Sequence, residues 1–112
     1  MPKRLVCVAK GQLEWQDYEE PPLRPTQVRI SAQFGAAKHG TEMATFKGYS
    51  AHRGRYDPQY HLFRPSPEPR SPHIAPVGNM VVGTVEEAGK EVGSLSVGDR
   101  VCAYSGFSET CV

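Results

Sequence analysis

Few residues in this 112-residue sequence are equipped for chemistry. An imidazole can donate to a carbonyl oxygen or relay a proton, and histidines stand at 39, 52, 61 and 73. His52, His61 and His73 are spaced nine and twelve apart with no cysteine partners, which is not the pattern of a metal cluster. Cys7, Cys102 and Cys111 are too few and too scattered for a disulfide framework or a CxxC zinc clip. Cys7 and Cys102 sit inside apolar runs and read as small buried thiols. Between residues 49 and 76, Arg53, Arg55, Arg64 and Arg70 outnumber Asp57 and Glu68. Such a stretch can clamp a carboxylate or a phosphate, or it can be a solvated surface loop.

The balance of 13 Lys+Arg against 12 Asp+Glu leaves a net charge of +1, so nucleic-acid binding would need a local basic patch. The length gives room for one small domain. A doubly wound nucleotide-binding domain would take most of it, which excludes a complete dinucleotide-dependent enzyme. The basic N-terminus leads into Leu5-Val6-Cys7-Val8-Ala9, shorter than the ~7–15 apolar residues of a signal-peptide core. No run approaches the ~18 apolar residues of a membrane span. A cytoplasmic protein with a small-molecule partner, and with neither nucleic acid nor membrane, is the expectation.

These side chains must be held by short strands, because glycine (11) and proline (10) punctuate valine-rich runs. Residues 4–9 read as a first strand, and Leu13 and Trp15 alternate with polar neighbours in a half-buried second. Three prolines in 19–25 exclude helix and central strand. From Val28 to Phe34 the alternation is clean, with Val28, Ile30, Ala32 and Phe34 on one face. Residues 40–48 predict a short helix, with Thr41 as candidate N-cap and Gly48 as its stop. Residues 49–76 hold six of the ten prolines and three histidines without apolar period, and predict a long loop. Strands return at 81–87 and from Arg100, and another starts at Phe107. Gly83 inside a valine run predicts a bulge or a close backbone approach. Gly98-Asp99 predicts a turn in which glycine takes positive φ and Asp99 bonds nearby backbone. The pattern is that of a mainly β, partly open barrel with one or two short helices.

Three motifs in order resemble the N-terminal, GroES-like catalytic domain of the medium-chain dehydrogenases/reductases, the zinc-type alcohol dehydrogenase superfamily. Val28-Arg29-Ile30-Ser31 running into His39-Gly40-Thr41-Glu42 resembles that family's strand followed by Cys-Gly-Ser-Asp. Gly78-Asn79-Met80-Val81-Val82-Gly83-Thr84-Val85 resembles Gly-His-Glu-x-x-Gly-x-Val. Val92-Gly93, then Gly98-Asp99-Arg100-Val101 and Gly106-Phe107-Ser108-Glu109, resemble Val-Gly, Gly-Asp-Arg-Val and Gly-x-Phe-Ala-Glu. The likeness spans roughly residues 26–112. It implies a substrate-side domain for NAD or NADP chemistry on a carbonyl, alcohol or activated alkene. The cofactor would be held mainly by a nucleotide-binding domain that these residues do not include, in a full-length protein that can be a homo-oligomer.

The departures imply a zinc-free member. The family's zinc-binding Cys, His and Glu are replaced by His39, Asn79 and Met80. An amide is a poor zinc ligand, and a neutral thioether is too soft to replace a carboxylate. Glu42, three residues beyond His39, leaves a rearranged His/Glu metal site open. By position His39, Thr41 and Asn79 are the implied catalytic set, with Tyr49, Tyr56 and Arg53 as candidate substrate contacts. Each also has a plainer reading: a turn histidine, a helix cap, locally packed tyrosines, a solvated arginine. A stand-alone GroES-like or OB-like barrel, binding through its Arg/Tyr-rich loop, is the alternative from another functional class.

Overall fold

The structure, a computed structural model, describes residues 1–47, 55–64 and 75–112. Strands β1 (Lys3–Ala9) and β2 (Gln12–Asp17) form a hairpin, and β3 (Val28–Gly35) leads into helix α1 (His39–Phe46). Two short strands, β4 (Arg55–Asp57) and β5 (Leu62–Arg64), pair with each other, and β6 (Ala75–Pro76) precedes β7 (Val81–Ala88). β8 (Arg100–Ala103) and β9 (Thr110–Cys111) complete the order. The two main sheets run β2-β1-β6 and β8-β7-β3-β9, every pairing antiparallel. Among the described residues, Val6, Cys7, Ile30, Val77, Val81 and Val85 form the buried apolar core. The result is the expected mainly β, incompletely closed barrel, with a single short helix among the described residues.

Residues 107–111 stitch the two sheets together. The Leu5 N–H donates to Phe107 O (2.7 Å), the Glu109 N–H to Lys3 O (2.9 Å) and the Ala32 N–H to Glu109 O (2.8 Å). One segment thus fills the gap between β1 and β3, satisfying backbone groups that would otherwise be exposed edges. Tyr18 clamps its far end: the Thr110 N–H donates to the tyrosine oxygen (3.0 Å), which lies 2.8 Å from Thr110 O. Arg29 ties the proline-rich linker to β7. Its Nη1 lies 2.5 Å from a Glu87 carboxylate oxygen, and its Nη2 donates to Pro21 O.

Several expectations need correction. The Val28–Phe34 alternation breaks because the β3–β7 register shifts between Arg29 and Ile30 and again between Ala32 and Phe34. An irregularity of this kind changes which face later residues occupy, and Phe34 is 67% exposed. Leu13 and Trp15 are exposed rather than half-buried, since β2 is an edge strand. The helix is capped by Lys38, not Thr41. No side chain caps from Lys38 itself; the Glu42 carboxylate instead reaches back to accept the Lys38 N–H, and Glu42 is buried doing so. Gly48, the expected stop, lies outside the described residues.

The predicted loop contains an ordered hairpin. Tyr56 faces Phe63 across β4–β5 with ring centroids 5.3 Å apart, and Arg64 pairs with Asp57 at 2.6 Å. The other Asp57 oxygen accepts the Gln59 and Tyr60 N–H groups, an Asx-type turn after which His61 takes φ 53°.

Cys102 is exposed, against the expectation, because alternate residues of β8 face outward. Cys7 is buried, its thiol donating to Ala9 O at 3.1 Å. Burial pushes the Cys111 thiol up, opposed by a smaller contribution from a Ser105 hydrogen bond. Thiolate fraction and access set alkylation rate. Iodoacetamide at pH 8 is therefore expected to label Cys102 first, Cys111 more slowly and Cys7 only on unfolding. Peptide mass spectrometry over time reads the order, and early labelling of Cys7 would contradict this packing.

Candidate functional site

The β3–β7 register sets the site. Gly35, the last residue of β3, is paired with Val81, the first of β7. Residues 36–39 therefore leave the sheet at the same end at which residues 78–80 enter it. A hydrogen bond from the Ala36 N–H to Met80 O (3.3 Å) ties these two arms. One arm continues into α1, whose first and third residues are His39 and Thr41, both exposed. The other carries Asn79, half-buried, whose backbone carbonyl accepts the Ser105 N–H at 3.2 Å. Neither the His39 ring nor the Asn79 amide is hydrogen-bonded to another described residue, which leaves both able to meet a ligand.

A cleft of about 280 Å³ opens where the arms leave the sheet, reaching Gly35 and Val81. Trp15, Phe34 and Phe107 wall it, and Gln33, Ser108 and Glu109 supply its polar edge. Glu109 is already engaged, since its carboxylate accepts the Lys3 N–H at 2.7 Å. Mostly apolar walls with a few polar groups are what small-ligand sites commonly offer.

The family model of the alcohol dehydrogenase GroES-like domain matches residues 25–112. The chain belongs to that family. Curated relatives that this GroES-like domain resembles include D-guloside 3-dehydrogenase of Escherichia coli (strain K12) and of Shigella flexneri, each 36% identical over 115 residues. The match covers 98% of this chain and 33% of each relative, so the chain spans about a third of their length. Two solved structures share the fold. A Pseudomonas syringae pv. Tomato DC3000 quinone oxidoreductase aligns with a TM-score of 0.58 and 24% identity, over 99% of this chain and 30% of its own. The CurF ER cyclopropanase of the curacin A biosynthetic pathway aligns with a TM-score of 0.70 and 23% identity, over 97% and 32%.

Within the GroES-like domain, the fold brings together the strand ends that carry His39, Thr41 and Asn79. Tyr56 is not brought to them by any contact described: its ring packs on Phe63 and its hydroxyl lies 3.2 Å from His61 Nδ1, all within the β4–β5 hairpin. Tyr49 and Arg53 lie outside the described residues, as do His52, Arg70 and His73. Glu42, the one candidate for a rearranged metal site with His39, has its carboxylate committed to the Lys38 N–H. Among the described residues no group of three or more His, Cys, Asp or Glu side chains could hold a metal ion. An imidazole, an amide and a thioether are all that the arms offer where the superfamily's zinc ligands stand, and this set does not fit zinc.

Trp15, Gln33 and Phe34 escaped the sequence reading as site residues. Two aromatics at alternating strand positions looked like core, and only their exposure separates a wall from a core. Among the described residues no helix is long and apolar enough to cross a membrane.

Proposed function

We propose that this chain is the substrate-side domain of an NAD- or NADP-dependent oxidoreductase that works without zinc, and that the nucleotide is held by sequence outside these residues. What supports this reading most is that the β3–β7 register and the Ala36–Met80 hydrogen bond bring the His39 and Asn79 arms to one end of the sheet, next to a cleft lined by Gly35 and Val81 though not by His39, Thr41 or Asn79 themselves. No Gly-x-Gly-x-x-Gly turn occurs in the sequence, and the described sheets have no parallel β-α-β unit, so this chain does not itself fit the nucleotide. The group oxidised or reduced belongs to a carbonyl, an alcohol or an activated alkene. Similarity to proteins named D-guloside 3-dehydrogenase favours a sugar hydroxyl among these.

Nicotinamide, when bound, exchanges the hydride. The domain handles the oxygen. In the oxidation of an alcohol the His39 ring would take the hydroxyl proton, directly or through the Thr41 hydroxyl, while a bound nicotinamide would supply the hydride acceptor. The Asn79 amide donates to the same oxygen, and in the reverse direction it stabilises the negative charge that develops there. The rings of Trp15 and Phe34 cover the apolar faces of the substrate and exclude water. Tyr49 and Arg53 remain proposed substrate contacts, and a cytoplasmic homo-oligomer with no nucleic-acid or membrane partner completes the reading.

A second reading, a binding module, rests on the hairpin. It exposes Tyr56, Tyr60 and Phe63, with Arg64 5.2 Å over the Tyr60 ring. Stacked aromatics with arginine suit single-stranded nucleic acid, but the net charge of +1 supplies little counterion release.

Two measurements test the leading reading. NADPH titrated into the 112-residue chain should show no micromolar binding by fluorescence, and such binding would contradict an external nucleotide site. The full-length protein should oxidise methyl D-guloside with NAD or NADP, retain that activity after dialysis against a chelator, and contain no stoichiometric zinc.

A further inference from the structure

We propose that the segment from Ser105 to Phe107 is a positioning device for the site and that Phe107 is its central residue. The inference rests on the assignment of His39 and Asn79 above. Two hydrogen bonds bracket Gly78: the Phe107 N–H donates to Val77 O at 2.7 Å, and the Ser105 N–H to Asn79 O at 3.2 Å. Between them Gly78 takes φ +89°, a conformation that glycine adopts without strain. The Asn79 arm is thus held on both sides of its bend by one short stretch of chain.

The ring of Phe107 extends this hold to the other arm. A β-carbon on Gly78 would lie 2.5 Å from Phe107 Cδ1, and one on Gly35 would lie 2.5 Å from Phe107 Cε1. One ring edge therefore lies against both glycines, Gly35 where one arm leaves β3 and Gly78 within the other arm, three residues before β7. Both positions must lack a side chain for the ring to fit. The base of the ring is fixed in turn, because the Phe107 carbonyl accepts the Leu5 N–H at 2.7 Å. No hydrogen bond or ring pairing described links the Phe107 ring to the His39 or Asn79 side chains, so toward these two groups its role is to position, while its ring also walls the cleft. Reacting groups lose rate steeply when displaced by about 1 Å, on the order of a hundredfold, and a loosened ring edge frees both arms at once.

The test uses the full-length protein with methyl D-guloside and either nucleotide as the probe reaction. Phe107→Leu removes the flat edge and keeps apolar bulk. It is expected to lower kcat at least tenfold while KM stays within threefold and the melting transition remains cooperative. Gly35→Ala pushes a methyl group into the ring edge and should give the same split. The double variant Gly35→Ala/Phe107→Leu should regain at least threefold in kcat over Gly35→Ala, because the smaller side chain leaves room for the methyl. Backbone amide resonances provide a readout independent of turnover. In either single variant, the signals of residues 36–41 and 78–80 should shift or broaden while those of β8 hold still. Unchanged resonances in both arms would overturn the proposal whatever the activity, as would wild-type kcat in Phe107→Leu. Near wild-type activity in a His39→Ala variant, or inactivity of the unaltered protein on the probe, counts against the site assignment instead, and the resonances then decide the positioning role.

Discussion

Gly83→Ala should destabilise the protein by about 3 kcal/mol or more, a large share of the ~5–15 kcal/mol that holds an ordinary domain folded. A β-carbon at position 83 would stand 2.1 Å from Ser31 O, 2.9 Å from Ser31 C and 2.8 Å from Ile30 Cγ2. Two of those atoms are backbone, and neither can withdraw. Ser31 is paired with Thr84 on one side and with Thr110 on the other, so moving it would open both ladders of β3. Gly83 is buried as well, which denies the methyl any route to solvent. The cost therefore falls on the central strand pair of the molecule. Gly93→Ala is the matched control, because nothing lies within 4 Å of a β-carbon there and φ is ordinary. That change should be neutral, or stabilising by about 0.4–1 kcal/mol through the unfolded chain. Thermal melting followed by circular dichroism separates the two. Equal melting temperatures for both variants would mean that β3 and β7 do not approach this closely.

The same glycine shows what a sequence can disclose. A lone glycine within Val81-Val82-Gly83-Thr84-Val85 left two physical options, a bulge or a close approach, and both features meet there: the backbone of β3 lies close, and the register shifts at the Ala32–Gly83 pair. The irregularities lie between Arg29 and Ile30 and between Ala32 and Phe34. Such shifts are invisible in a hydrophobic pattern because they arise from pairing across strands, and they carried Phe34 out of the core it was expected to join. Local signals were more legible. Gly98 has φ +97° and the Asp99 carboxylate accepts the Ser96 N–H at 2.9 Å, the turn chemistry that those residues announce.

Candidate site residues could be proposed from the sequence, but not the backbone that supports them. His39 and Asn79 could be named from motif order, and it is the β3–β7 register that puts their strand ends side by side. The stitch formed by residues 107–111 was unreadable, because its bonds to Lys3, Leu5 and Ala32 join segments far apart in the chain. The cap on α1 was missed for a related reason. Thr41 has the expected chemistry, yet the Glu42 carboxylate can satisfy the Lys38 N–H one turn back, and a serine or threonine at the cap is then not required. In the hairpin, Asp57-Pro58 was a genuine turn signal overshadowed by the proline-rich sequence around it.

His39→Ala in the full-length protein should lower kcat by roughly 10²–10⁴-fold, the usual contribution of a positioned acid–base group. The size of the effect follows from the zinc-free reading proposed above, in which the hydroxyl proton leaves to a side chain. Among His39, Thr41 and Asn79, only the imidazole is a side-chain type that serves as both general base and general acid. An amide does neither, and a hydroxyl relays without storing. Asn79→Ala should accordingly cost less in acid–base terms but still about 10²-fold where it removes a hydrogen bond to the developing alkoxide. Thr41→Val distinguishes direct transfer from relay, with a loss comparable to His39→Ala only if the hydroxyl lies on the path. Stability is a clean control because His39 is exposed and makes no hydrogen bond to another described residue, so its loss should leave the melting temperature unchanged. Steady-state kinetics on methyl D-guloside with NAD or NADP measures all three. A His39→Ala protein that keeps kcat within threefold would move the proton to another group, and the arm that carries Asn79 would be the next place to look.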